Sequence, residues 1–129
     1  MKAVFTDDAP TPAGHYSQAV QANGFVFVSG MLPTLRTPGG EGDPFDDQVR
    51  SALQHCERIL AAAGCGLSDV VQCTAYIVGV AHWPAFNRVY AEHFGQHKPA
   101  RAVVPVPELH HGALVELQMV ARLPLQPAQ

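Results

Sequence analysis

The tightest local constraint in this chain is Asn23-Gly24, set between two runs of apolar and β-branched residues. A two-residue type I′ turn needs positive φ at both central positions, and Asn-Gly is the pair that supplies it at least cost. The pair therefore predicts a hairpin with strands over Tyr16–Ala22 and Phe25–Gly30. In that register Ala22 opposes Phe25, Val20 opposes Phe27 and Gln18 opposes Ser29. Because side chains alternate along a strand, Tyr16, Gln18 and Ser29 share the polar end of one sheet face.

The rest of the chain reads as alternating strands and helices. Residues 1–14 are expected to be a lead-in with little regular structure, and residues 31–42 a Gly- and Pro-rich loop. Asp43-Pro44 predicts a helix start, with Asp43 as N-cap and Asp46 and Asp47 in the first turn, where the helix dipole favours negative charge. Val49, Ala52, Leu53, Cys56, Ile59, Leu60 and Ala63 recur at helical spacing, and Gly64 supplies the stop. Val70–Val78 reads as a buried strand. His82–Phe94 reads as a second helix with an apolar stripe of Trp83, Phe86, Val89, Tyr90 and Phe94, ended by Gly95. Ala100–Val106 is a strand that Pro105 confines to an edge or an irregular position. Ala113–Arg122 is the last strand, with Ala113, Val115, Leu117, Met119 and Ala121 on one purely apolar face.

The order β-β-α-β-α-β-β predicts an α+β fold, a mixed sheet with both helices packed on one face. The other face carries Glu116, Gln118, Tyr16 and Ser29, but also Val20, Phe27 and Val120. A half-apolar sheet face left open usually finds a partner, so a homo-oligomer joined through it is expected.

At 129 residues the chain is expected to be one domain, spanning 1–129. A net charge of −3 and a pI near 6.1 argue against a nucleic-acid binder. No apolar run is long enough to span a bilayer, and no signal-peptide pattern opens the chain. Three cysteines without C-x-x-C spacing suit a reducing, cytoplasmic setting. His110-His111 has no accompanying ligand spacing, so no metal is expected. Motifs for serine hydrolases, kinases and dinucleotide binding are missing.

What remains is Arg101 and Glu116. An arginine presents a planar fork of donors that matches a carboxylate, and a strand glutamate can exchange a proton or orient a water. If the last two strands pair as a hairpin across Pro107–Gly112, Val103 opposes Glu116 and Arg101 opposes Gln118. The arginine and the glutamate are then diagonal neighbours on one face. The competing reading is an ordinary rim salt bridge. Tyr16 with Ser29, and Asn87 in mid-helix, are weaker candidates with structural hydrogen bonding as the alternative.

The stretches GHYSQAV, NGFVFVSG, ILAAAGCGLSDVVQCTAYI, FNRVYAEHFGQHKPAR and GALVELQMVA carry a resemblance. Over nearly its whole length the chain resembles the reactive-intermediate deaminase family, RidA, also called YjgF. The resemblance implies the chorismate-mutase-like (YjgF-like) α+β domain, a homotrimer with ligand clefts between subunits, and no metal or organic cofactor. It implies hydrolysis of 2-aminoacrylate and related enamine or imine acids to 2-oxo acids and ammonia. By position, Arg101 matches the arginine that clamps the substrate carboxylate and Glu116 the glutamate that positions water. Tyr16, Ser29, Gly30, Asn87 and Val103 match pocket or motif positions. Met31 stands where active members usually have Gln, Ala102 and Val103 stand where Ser and then Cys or Thr are common, and Gln118 replaces a frequent acid. Each change makes the pocket less polar, which points to a bulkier or more apolar substrate. The alternative is a non-catalytic or regulatory binder of small carboxylic acids. The family's old label as an endoribonuclease suits an acidic chain poorly.

Overall fold

The computed structural model describes residues 1–125. Six strands form one sheet: β1 Lys2–Val4, β2 Ala19–Ala22, β3 Phe25–Met31, β4 Val70–Val78, β5 Ala100–Val106 and β6 Val115–Arg122, in the order β1-β2-β3-β6-β4-β5. Two helices, α1 Phe45–Ala62 and α2 Trp83–Phe94, pack on one face. This is the α+β sheet-and-helix layer expected from the sequence.

The β2–β3 hairpin has the expected register, with Ala22 opposite Phe25 and Val20 opposite Phe27. Asn23 and Gly24 take φ of 51° and 82° at its turn. β2 is shorter than expected because residues 16–18 leave the ladder, although the Ser29 amide still donates to the Gln18 carbonyl at 2.9 Å. The lead-in is structured, contrary to expectation. Lys2–Val4 pair antiparallel with Ala19–Gln21. The buried Gln18 side chain then holds the following segment, accepting from the Thr6 amide at 2.8 Å and donating to the Pro10 carbonyl at 2.9 Å. A side chain satisfying distant backbone groups leaves no periodic trace in the sequence.

Helix α1 buries Val49, Ala52, Leu53, Cys56, Ile59 and Leu60 completely, which fulfils the predicted stripe up to Ala63, the part-buried C-cap. Its start is shifted by one residue. Pro44 is the N-cap, because the Asp43 carboxylate instead accepts from the Arg36 amide at 2.6 Å and from the Thr37 hydroxyl at 3.0 Å, ordering the preceding loop. At the other end the Gly64 amide reaches the Ala61 carbonyl and the Cys65 amide the Leu60 carbonyl, a Schellman closure with Gly64 at φ 83°. Helix α2 starts at Trp83 behind a 3-10 turn over Val80–His82 and ends before Gly95.

The largest correction concerns the last two strands. They do not form a hairpin. β5 pairs parallel with β4, Arg101 opposite Cys73 and Val103 opposite Ala75. β6 enters antiparallel between β3 and β4, with Glu116 opposite Tyr76 and Gln118 opposite Thr74. The β4-α2-β5 run is a strand-helix-strand crossover, which returns the chain parallel to its first strand. β5 is thereby the sheet edge, the position at which a strand tolerates a proline such as Pro105. β6 is central because Val115, Leu117, Met119 and Ala121 are all fully buried under the helices.

Candidate functional site

The pleat sorts the candidate residues onto two surfaces. Cys73, Ala75 and Ile77 of β4 face the helices and are buried, and so do Met119, Leu117 and Val115 opposite them. Arg101 and Val103, paired with Cys73 and Ala75, lie on that helix side. Glu116, paired with Tyr76, lies on the open side. Within one chain Arg101 and Glu116 are therefore on opposite faces of the sheet with β4 between them, and the predicted diagonal contact does not exist.

On the open side a cleft of about 890 Å³ gathers Tyr16, Ser29, Gly30, Tyr76, Glu116 and Gln118 under residues 31–34, at and beyond the end of β3, and 110–111. A β-bulge builds it. From Val28 to Met31 the strand β3 advances three positions while β6 advances two, from Met119 to Leu117. The extra residue re-aims the strand next to Glu116. Gly30 then sits so close that a Cβ on it would lie 3.1 Å from the Glu116 carboxylate oxygen Oε2. The Ser29 hydroxyl donates to the Ser17 carbonyl at 2.6 Å, fixing the bulge to the segment that carries Tyr16. The Ala13 amide donates to the Tyr16 hydroxyl at 3.3 Å. Of the residues singled out in the sequence, Tyr16, Ser29, Gly30 and Glu116 thus come together.

Arg101 belongs to a second cluster at the β5 edge. Its guanidinium donates through Nη1 to Asn87 Oδ1 at 3.0 Å. Its central carbon lies 4.9 Å from the ring centre of Tyr90, 5.8 Å from Phe86 and 6.0 Å from Trp83, within the range of cation–π attraction. Among the described residues it has no carboxylate within 4.0 Å. The charge is held in place by an amide and three rings while most of its fork stays unpaired, an arrangement suited to an incoming carboxylate. Asn87, which looked out of place in mid-helix, is there to orient Arg101.

Beneath this cluster burial pushes the Cys73 thiol up to about 12, against smaller lowering contributions from the Tyr90 hydroxyl and the Arg101 charge. Burial likewise raises the Tyr90 hydroxyl, with the Cys73 thiol adding to it. The two groups are neighbours, yet the Tyr90 hydroxyl meets no partner at hydrogen-bonding geometry among the described residues. Cys73 is consequently a neutral core thiol and not a nucleophile. Cys56 and Cys65 are buried free thiols raised by the same cause.

Sequence reasoning missed Tyr76 and, beyond Met31, the wall formed by Leu32, Pro33 and Thr34. Tyr76 was legible from alternation along β4, where it shares the open face with Thr74. The wall was hidden inside a segment that reads as loop.

The chain matches the family described as Endoribonuclease L-PSP over residues 6–123. A RutC family protein of Pyrococcus horikoshii is 40% identical over 122 residues, 93% of this chain and 96% of the relative. The crystal structure of RidA from the Antarctic bacterium Psychrobacter sp. PAMC 21119 superposes with a TM-score of 0.87 at 29% identity, covering 95% of this chain and all of that one (100%). Escherichia coli TdcF, solved with bound serine, superposes with a TM-score of 0.85 at 28% identity, covering 95% and 98%. With these matches along nearly the whole chain, the protein belongs to the RidA/YjgF family, the group also described as Endoribonuclease L-PSP.

Proposed function

We propose that the protein hydrolyses reactive enamine and imine carboxylic acids of the 2-aminoacrylate type to 2-oxo acids and ammonia, in a site completed between two copies of the chain. The carrying observation is that Arg101 and Glu116 occupy opposite faces of one sheet, each without an opposite charge beside it among the described residues. A second copy seated on the open face supplies what each lacks. That face displays Phe25 and Phe27, 36% and 44% exposed with ring centres 6.4 Å apart, apolar surface that association would cover. A homotrimer with three such boundaries is the assembly this reading takes, as the family resemblance implies.

In this reading the free donors of Arg101 grip the substrate carboxylate in a two-pronged contact, which fixes orientation as well as affinity. The enamine takes a proton from water at its terminal carbon and gives one back from nitrogen, becoming the imine. Glu116 of the neighbouring copy takes a proton from a bound water as the water's oxygen adds to the imine carbon. Glu116 returns that proton to the nitrogen, giving the neutral tetrahedral carbinolamine; the hydroxyl proton then passes to the nitrogen as the C–N bond breaks, which releases ammonia and leaves the 2-oxo acid. Gly30 gives Glu116 its room, and Tyr16 and Ser29 line the cleft. The small amino acid in TdcF, which carries a carboxylate, agrees in size and charge with this substrate class. The chain needs no cofactor or metal for these steps and takes neither nucleic acid nor membrane as partner. Among the described residues no helix is long and apolar enough to cross a membrane, and free thiols suit a reducing, cytoplasmic setting.

The test generates 2-aminoacrylate in place with a pyridoxal-phosphate lyase and follows pyruvate release. Wild type accelerates release over the spontaneous rate, and Arg101→Ala does not. Equal rates with both, accompanied by Arg101-dependent binding of 2-oxo acids, would favour the alternative of a non-catalytic carboxylate binder.

A further inference from the structure

Thr34 is the polar exception in the wall that Met31, Leu32 and Pro33 give to the cleft. It is exposed, yet its hydroxyl is tied inward, 2.9 Å from Nε2 of His55 on helix α1. The Thr34 amide donates to the Ser51 hydroxyl oxygen at 2.9 Å, and that oxygen lies 3.4 Å from the same His55 nitrogen. His55 is 7% exposed, and its Nδ1 is buried without a partner among the described residues.

That orphan nitrogen decides which way the hydrogen bond runs. A buried N–H without an acceptor is rarer and costlier than a bare lone pair, so the ring proton belongs on Nε2. Burial, and after it the charge of Arg58, lowers the affinity of His55 for a second proton, which keeps the ring neutral near neutral pH. Nε2–H then donates to the Thr34 oxygen. A hydroxyl that is already accepting from its inner neighbour keeps its own proton to give, and Thr34 borders the cleft as well as a second hollow over Gln48 and Ser51.

Resting on the deaminase reading above, we infer that Thr34, oriented by His55, donates a hydrogen bond to an acceptor oxygen on the substrate side chain, so that the site selects imino acids bearing a side-chain carbonyl or amide oxygen over hydrocarbon ones of the same shape. The less polar pocket expected from Met31, Ala102 and Val103 is thus given one directional polar contact. Thr34 is a specificity residue, and His55 is a positioning residue that acts through it.

The experiment compares imino acids made in place from asparagine and from leucine, which are alike in shape and differ in the side-chain amide. An amino-acid oxidase supplies both, and release of the 2-oxo acid is followed. Wild type favours the asparagine-derived imine, and Thr34→Val lowers the ratio of the two kcat/KM values by about 3–10-fold, the effect of one neutral hydrogen bond. Thr34→Ser restores the ratio, because it returns the hydroxyl, and His55→Phe lowers it. A ratio unchanged in Thr34→Val, or not restored in Thr34→Ser, overturns the inference and leaves Thr34 as a tether between loop and helix. Should wild type accelerate neither imine nor the hydrolysis of 2-aminoacrylate, the deaminase reading fails by itself. Calorimetric binding of the two corresponding 2-oxo acids to wild type and Thr34→Val then reads Thr34 independently, with the same ratio as criterion.

Discussion

Arg101 and Glu116 are held on opposite faces of the same sheet, Arg101 opposite Cys73 on the helix side and Glu116 opposite Tyr76 on the open side. Strand β4 stands between them. A single copy cannot bring both to one small acid. The proposed chemistry therefore depends on association, and substitutions at either residue are expected to act at a boundary between copies.

The close approach of Gly30 to Glu116 gives a prediction about turnover. Gly30→Ala would set a methyl group 3.1 Å from Oε2, and the carboxylate has to move by a few tenths of an ångström. A displaced base loses rate faster than it loses binding. The expected result is kcat lower by about tenfold or more, with 2-oxo-acid affinity and thermal midpoint near wild type. Equal activity in Gly30→Ala would contradict the placement of Glu116 at the reacting centre.

Asn87 offers a test of how Arg101 is presented. Asn87→Ala removes the 3.0 Å acceptor from Nη1 and frees a long side chain. A part-exposed hydrogen bond to a charged group is worth about 1–2 kcal/mol, so 2-oxo-acid Kd rises about 5–30-fold. Asn87→Asp has a larger effect, because its carboxylate competes with the ligand for the same guanidinium. Isothermal calorimetry measures both, and tighter binding by Asn87→Asp would refute the assignment.

His55 carries a pH signature in stability. Its native proton affinity is lowered from the ordinary 6.5 by burial first and the Arg58 charge second. Between the lowered native value and 6.5 the unfolded chain binds more protons than the folded one. Stability then rises with pH, so the contribution is complete above 6.5 and is lost as pH falls below it. His55→Gln removes this slope. Urea midpoints for the two proteins, compared from about pH 7.5 down to about pH 5, should converge as the pH falls. A constant gap would show that His55 titrates alike in both states.

These residues also show what the sequence made legible. The hairpin register followed from Asn23-Gly24, and the buried stripe of α1 from apolar spacing, because both are local rules. The pairing of β5 was not local. Adjacent strands joined by a short loop suggest a hairpin, yet Pro105 and the α2 crossover put Ala100–Val106 at the edge, parallel to β4. That one error in topology carried Arg101 and Val103 to the wrong face. Tyr16, Ser29 and Glu116 were found because alternation on the open face survives the error, whereas Gly30, next to Ser29 in the chain, came only from the family resemblance and reaches the cleft through the bulge. Thr34 and the Gln18 clamp escaped, since each works through a hydrogen bond across 21 or 12 residues of chain.

The most direct measurement mixes two inactive variants. Arg101→Ala and Glu116→Ala chains are unfolded together, refolded as mixed assemblies and assayed for pyruvate release from 2-aminoacrylate. If each site takes Arg101 from one copy and Glu116 from its neighbour, some boundaries unite an intact arginine with an intact glutamate. Random mixing in a closed ring then returns about a quarter of wild-type activity. No recovery from assemblies shown by mass spectrometry to be mixed would contradict a site shared between copies.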